Sequence, residues 1–113
     1  MPEADAEVED RAHSFDGADF VISKRRWAHI LDRHPELAAM KGLILDAALR
    51  PNEAFQDPRG SIHLVKPLEA GASDNLVLIL RRVGVKDYLV TAYLMSDKRK
   101  KRRYRRFKKL QLS

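Results

Sequence analysis

The apolar residues after position 19 first recur with the period of a helix. Ser23 is a favourable N-cap residue and precedes a stripe of positions spaced i, i+3, i+4 and i+7. The stripe consists of Trp27, Ile30, Leu31 and His34. It predicts a helix of about ten residues with a polar opposite face. We expect residues 20–22 to form a short strand or a lead-in segment before this helix.

Pro35 indicates that a second helix starts directly after the first. Proline disfavours helical backbone at the preceding residue and suits the first position of a helix. We therefore expect a helix from Pro35 to Arg50, where Pro51 ends it. Its apolar positions are Leu37, Met40, Ile44, Ala47 and Ala48.

From residue 52 onward the period of the apolar positions approaches two, as in β-strands. Strands are predicted over residues 53–56, 61–68, 76–83 and 88–95, with turns at 57–60 and 84–87 and a loop at 71–75. Residues 76–80 are apolar on both faces, which indicates a central strand covered twice, by the helices and by the C-terminal segment or a second subunit. The expected fold class is α+β: two N-terminal helices packed on a three- to four-stranded antiparallel sheet, followed by a basic C-terminal segment.

Charge divides the chain into three parts. Residues 1–20 carry a net −6, residues 21–96 a net +3, and residues 97–109 a net +9. We expect 1–19 to be a disordered acidic leader, 20–96 the single folded domain, and 97–113 a basic tail that is free or packed on the domain. A second interpretation of the leader is that it folds back on the tail and competes with a polyanion.

The basic tail predicts binding to nucleic acid, because ten bases in residues 97–109 can neutralise many phosphates. Tyr104 and Phe107 are interleaved among the bases, and such rings can stack on nucleobases. Alternatively, Tyr104, Phe107 and Leu110 anchor the tail to the domain at i, i+3, i+6 spacing. The candidate nucleic-acid-binding residues are Lys98, Arg99, Lys100, Lys101, Arg102, Arg103, Tyr104, Arg105, Arg106, Lys108 and Lys109.

Composition removes several classes of function. The chain has no cysteine, which excludes disulfide frameworks, thiolate zinc sites and cysteine nucleophiles. No apolar run approaches the ~18 residues that a membrane span needs. Phosphate-loop and dinucleotide motifs are missing, and four scattered histidines favour no metal site. The acidic N-terminus is unlike a signal peptide, so we expect a cytoplasmic protein without membrane contact.

His34 is the most informative candidate for acid–base chemistry. It extends the apolar stripe of the first helix, so its side chain should point toward the sheet, at a junction that Pro35 restrains. A restrained imidazole can act as a general base near neutral pH. The alternative is a histidine that closes the helix end by a hydrogen bond. His63 alternates with its apolar neighbours and is expected on the surface or in a cleft.

Thr91 and Tyr93 share one face of the last predicted strand, where two hydroxyl groups can donate hydrogen bonds to one phosphate. The alternative is that both are simply good strand formers. Arg81 and Arg82 lie on opposite faces of the neighbouring strand, so one of them should reach the face of Thr91.

The helical motif and the strands together resemble a known family. The sequence WAHILDRHPEL at 27–37, followed by Ile44 and by Leu49-Arg50-Pro51, resembles a signature of phage-linked members of the barnase–EndoU–colicin–RelE-like (BECR) nuclease group. The match continues through the strands to VTAY at 90–93 and a basic segment, and covers roughly residues 20–108. The helical motif is fairly specific, whereas the strands alone are not. The acidic leader has no counterpart in that pattern.

This resemblance implies a helix pair on a four-stranded antiparallel sheet and RNA cleavage without a metal or cofactor. In that group a histidine on a helix and a hydroxyl on the last strand commonly contribute to the site. By position these are His34 and Thr91, with Arg33, Arg81 and Tyr93 as companions. The expected reaction leaves a cyclic phosphate on RNA.

Three functions remain open from the sequence. The first is an endoribonuclease of a toxin-type or phage-associated system, acting on RNA such as tRNA and paired with a cognate antitoxin or immunity protein. The second is a non-catalytic nucleic-acid-binding protein. The third is a phage accessory or structural protein that uses the basic tail. Each is compatible with a monomer or a homodimer.

Overall fold

Seven strands form one mixed sheet in the order β1-β2-β6-β5-β4-β3-β7. The computed structural model describes residues 7–68 and 74–112. From the N-terminus, the first elements along the chain are β1 (Val8–His13), β2 (Asp19–Ser23), α1 (Lys24–Arg33), a 3₁₀ helix (Pro35–Met40) and α2 (Lys41–Leu49). They are followed by β3 (Glu53–Gln56), β4 (Ile62–Pro67), β5 (Asp74–Val83), β6 (Lys86–Ser96), α3 (Asp97–Tyr104) and β7 (Lys108–Leu110).

The expected sheet of three or four antiparallel strands is wrong in size and in strand direction. The four predicted strands correspond to β3 to β6, which are antiparallel neighbours. However, β1 and β2 precede the helices, β2 runs parallel to β6, and β7 extends the far edge. The expectation also lacked α3, which packs on the face opposite to α1 and α2. A short edge strand has little apolar alternation, which is why β1 and β7 left no pattern in the sequence.

The described part of the acidic leader belongs to the sheet, so regular structure begins at Val8 and not near Phe20. Its acids contact the body of the protein: Lys41 Nζ lies 2.7 Å from Glu9 Oε2 and 3.6 Å from Asp10 Oδ2. Within the ranges 7–68 and 74–112, no ion pair joins residues 7–19 to α3. Residues 1–6 of the predicted leader, and residues 71–73 of the predicted loop, lie outside the described residues.

The predicted start of α1 is confirmed, because the Ser23 hydroxyl accepts a hydrogen bond from the Arg26 backbone N–H at 3.1 Å. Trp27 and Ile30 are buried on the sheet side of this helix. The single second helix predicted after Pro35 is instead a 3₁₀ helix followed by α2. Proline suits a helix start in both cases, and apolar spacing alone did not separate the two helix types.

Two apolar cores lie on the two faces of the sheet. The larger lies under α1 and α2 and includes the fully buried Leu76, Leu78 and Leu80 of β5. The smaller lies under α3 and contains Phe55, Val65, Val77, Met95 and Tyr104. The prediction that β5 is a central strand covered on both faces is therefore confirmed, and α3 is the second cover. No helix in the described ranges is long and apolar enough to cross a membrane.

Candidate active site

The candidate site lies at an open edge of β6. β2 pairs only with residues 86–88 of β6, so no described strand pairs with that edge from Leu89 onward. α1 leaves β2 directly at Lys24 and contacts β6, which brings the end of α1 to this edge. A side chain at the C-terminal end of α1 can therefore reach past this edge to residues on the face of β6 that points away from α1.

His34, the C-cap residue of α1, reaches this edge. Its backbone N–H donates to the Ile30 carbonyl oxygen at 2.7 Å, so the main chain closes the helix end. The His34 side chain is 34% exposed, with Nδ1 3.7 Å from Glu36 Oε2. Its ring centroid lies 6.2 Å from that of Tyr93, with the planes tilted by 34°. The imidazole thus faces β6 and does not cap the helix.

Thr91, Tyr93 and Arg81 lie on one face of the sheet, opposite to α1 and α2. Thr91 pairs with Ile79 and Tyr93 pairs with Val77, and both strand partners contribute to the apolar core beneath α3. Arg81 follows Ile79 by two residues on β5 and therefore shares its face. Thr91 and Tyr93 are half-buried, whereas Arg81 is exposed. The predicted shared face of Thr91 and Tyr93 is confirmed, and the arginine on it is Arg81.

Arg82 points to the other face and has a structural role. Its Nε donates a hydrogen bond to Asp87 Oδ1 at 2.7 Å, and its Nη2 donates one to Asp87 Oδ2 at 2.8 Å. The Asp87 carboxylate is fully buried and also accepts a 2.8 Å hydrogen bond from Ser14 Oγ. Arg82 pairs with Asp16 as well. These hydrogen bonds and charges raise the pKa of Arg82 further above its usual range.

The remaining predicted companion, Arg33, lies at the exposed end of α1, and its side chain has no hydrogen bond or ion pair within the described ranges. The structure thus brings His34 and Tyr93 together directly, and it places Thr91 and Arg81 on the same face as Tyr93. Glu36 is an additional neighbour of His34 that sequence reasoning missed. The sequence feature that could have pointed to Glu36 is its position two residues after His34, within the HPE of the helical motif.

Two lysines of the basic segment pair with an acid of the sheet. Lys100 Nζ lies 2.6 Å from Glu53 Oε1, and Lys109 Nζ lies 3.6 Å from Glu53 Oε2. Burial alone would raise the pKa of Glu53, but the hydrogen bonds and charges of Lys100 and Lys109 outweigh it and lower that pKa. These two lysines join α3 and β7 to β3. The predicted bases that are exposed are Lys98, Arg99, Lys101, Arg102, Arg103, Arg105, Arg106, Lys108 and Lys109.

The interpretation of Tyr104 as an exposed ring that stacks on nucleobases is wrong. It is 5% exposed, and its ring stacks on Phe55 with 4.5 Å between centroids. Phe107 packs against the same core and Leu110 against the core under α1 and α2. The anchoring interpretation of these three residues is therefore the one that the fold adopts. An apolar ring between helix and sheet gains more from burial than from exposure to solvent.

Tyr104 also ends a buried polar chain that the sequence did not reveal. His63 is 1% exposed; its Nδ1 lies 3.0 Å from Tyr104 Oη and its Nε2 2.9 Å from Asp57 Oδ2. Burial lowers the pKa of His63, against the opposing effect of Asp57. Burial and the nearby Tyr93 side chain both raise the pKa of Tyr104. The alternation pattern showed which face His63 occupies but not that α3 covers it.

Within the described ranges, no group of three or more histidine, aspartate or glutamate side chains gathers where it could hold a metal ion. No family model, no curated protein and no solved structure matches this chain. The likeness to the BECR group therefore stays a prediction. Fold and site together describe a small α+β protein with a histidine–tyrosine pair at an open sheet edge, beside a strongly basic helix.

Proposed function

We propose that this protein is a metal-independent endoribonuclease. The observation that carries the proposal is the approach of the His34 and Tyr93 rings, 6.2 Å apart at the open edge of β6. Thr91 and Arg81 on the same sheet face add a hydroxyl and a cation. A proton-exchanging group, hydrogen-bond donors and a cation are what phosphodiester cleavage by an internal nucleophile requires.

In the proposed reaction, the ribose 2′-hydroxyl oxygen attacks the adjacent phosphorus atom. The bond from phosphorus to the 5′-oxygen breaks, which leaves a 2′,3′-cyclic phosphate and a free 5′-hydroxyl. His34 carries out one of the two proton transfers, either taking the proton of the 2′-hydroxyl or giving one to the leaving 5′-oxygen, and water carries out the other. Thr91 and Tyr93 donate hydrogen bonds to the phosphate, and Arg81 or Arg33 stabilises the negative charge that develops on it.

Glu36 orients the His34 ring in this proposal. Its carboxylate lies 3.7 Å from Nδ1, which is too long for a good hydrogen bond but close enough to attract that side of the ring. The Nε2 atom then remains for proton exchange with the substrate. We further propose that the enzyme acts in the cytoplasm on RNA such as tRNA, within a toxin-type or phage-associated system that includes an antitoxin or immunity protein.

The test compares His34→Ala with His29→Ala in an RNA cleavage assay with EDTA. His29 lies on the exposed face of the same helix, so its variant controls for the loss of an imidazole from α1. Loss of an acid–base group typically lowers the rate by about 10²–10⁴-fold, and we expect this loss only for His34→Ala. Equal rates for wild type and His34→Ala would refute the proposed mechanism.

A non-catalytic nucleic-acid-binding protein is the second candidate. The observation that favours it is the outward set of bases on and after α3, which needs no contribution from His34 to attract phosphates. This candidate predicts salt-sensitive binding of RNA or DNA that remains intact after long incubation. A phage structural protein would bind in the same way and would also co-purify with capsids.

A further inference from the structure

Three arginines of α3 line one groove. Arg99, Arg102 and Arg103 are spaced i, i+3 and i+4, which places them on one side of the helix. Together with Met95 of β6 and Phe107 they surround an open groove of about 400 Å³. The groove therefore combines three cations with an apolar floor.

The geometry of Phe107 suits a flat ligand. The guanidinium carbon of Arg103 lies 5.9 Å from the Phe107 ring centroid, over its face. Phe107 itself is held by edge contacts, with ring centroids 5.1 Å from Tyr104 and 5.2 Å from His63. A ring and a guanidinium fixed in this way offer a planar surface of the kind on which nucleobases stack.

These arginines differ from Lys100 and Lys109 of the same segment in having no acidic partner within the described ranges. Lys100 and Lys109 share the carboxylate of Glu53. Arg99, Arg102 and Arg103 have no ion pair with an acid within the ranges 7–68 and 74–112. They are thus available for an external anion, which would displace counterions on binding.

We propose that this groove is a nucleotide subsite that holds the nucleotide adjacent to the cleaved bond of a single-stranded RNA. The three arginines bind its phosphate, and its base lies against Phe107 and Arg103. Met95 follows Tyr93 by two residues on the same face of β6, so the groove begins about 7 Å from the candidate active site. This assignment rests on the proposed ribonuclease function. A single strand is required because the base must be unpaired to reach the floor of the groove.

The test measures binding of a short single-stranded 2′-O-methyl RNA, which a 2′-hydroxyl mechanism cannot cleave, by fluorescence anisotropy at several salt concentrations. Arg102→Ala is compared with Arg105→Ala, an identical charge change at an exposed arginine outside the groove. We expect Arg102→Ala to weaken binding by about 10- to 100-fold and to reduce the salt slope by about 0.7, the value for one phosphate contact of a single strand. Arg105→Ala should change both much less.

A second variant tests the base contact. Phe107→Leu retains an apolar side chain in the core and removes the ring, and we expect about tenfold weaker binding with an unchanged salt slope. Equal losses of RNA affinity for Arg102→Ala and Arg105→Ala would overturn the subsite in favour of diffuse electrostatic attraction. Equal affinity of the wild-type protein for single-stranded RNA and for an RNA duplex would overturn it as well. Cleavage of unmodified RNA is measured separately, so a protein that binds through the groove without cleaving refutes only the proposed function.

Discussion

Removal of the Tyr104 hydroxyl should destabilise the protein by breaking the buried chain that holds α3 on the sheet. Tyr104→Phe retains the ring, and with it the stacking on Phe55 at 4.5 Å. It removes the 3.0 Å hydrogen bond to His63 Nδ1. Because His63 is only 1% exposed, water has little access to replace that bond.

The size of the effect follows from this burial. Leaving a buried polar group without its partner costs about 1–3 kcal/mol, and the mean of about 2 kcal/mol is appropriate because His63 keeps its second bond to Asp57. For a domain of roughly 100 residues, each kcal/mol shifts the Tm by about 4–8 °C. We therefore expect Tyr104→Phe to lower the Tm by about 8–16 °C.

Thermal unfolding followed by circular dichroism at pH 7.5 measures this shift. Tyr88→Phe is the matched control, since Tyr88 is 7% exposed and its hydroxyl has no hydrogen-bond partner within the described ranges. We expect its Tm to change by less than about 4 °C, the equivalent of about 0.5 kcal/mol. Similar shifts for the two variants would refute the idea that the Tyr104 hydroxyl holds α3 in place.

Two further predictions concern stability. Acidification from pH 7 to pH 5 should lower the free energy of unfolding: the pKa of His63 is lowered by burial in the folded state, so the unfolded chain binds the proton more readily below about 6.5. His63→Gln should flatten this part of the pH profile in urea titrations, and an unchanged slope would contradict the assignment. Arg82→Ala should lower the free energy of unfolding, measured by urea titration, by about 3 kcal/mol, because it leaves the carboxylate of Asp87 buried with few hydrogen-bond donors. Arg81→Ala should lower it by less than about 0.5 kcal/mol. Equal losses for the two arginine variants would show that the Asp87 pair is unimportant.

The parts of the fold that were predictable are those in which burial leaves a period in the sequence. Trp27 and Ile30 mark α1, and Leu76, Leu78 and Leu80 mark the central strand. β1 escaped prediction because it is an edge strand whose acids, Glu9 and Asp10, pair with Lys41. Charge and not apolar alternation therefore dominates its sequence. The parallel pairing of β2 with β6 joins segments far apart in sequence, and no local pattern encodes it.

The candidate site was predictable to a similar degree. Strand alternation correctly placed Thr91 and Tyr93 on one face, because side chains alternate between the two faces of a regular strand. The approach of His34 to Tyr93 depends on the open edge of β6, which is a tertiary feature. His63 was misjudged for the same reason: its cover, α3, lay in a segment dominated by charge.

The arrangement of charge links the fold to the proposed activity. Glu7, Glu9, Asp10 and Asp16 of the N-terminal segment form ion pairs with lysine or arginine side chains of the body of the protein. Glu53 forms ion pairs with two lysines of the basic segment. Arg99, Arg102 and Arg103 of α3 have no acidic partner within the described ranges and line the groove. This distribution favours approach of a polyanion to that side of the sheet.

The most direct measurement of the central claim is the chemistry of the cleaved ends. Purified protein is incubated in EDTA with an end-labelled RNA, with the same sequence carrying 2′-deoxyriboses, and in parallel with His34→Ala protein prepared identically. The proposed mechanism predicts fragments ending in 2′,3′-cyclic phosphate from the RNA alone, and only with the wild-type protein. Fragments with 3′-hydroxyl ends, cleavage of the deoxy substrate, or no cleavage above that of His34→Ala would contradict it.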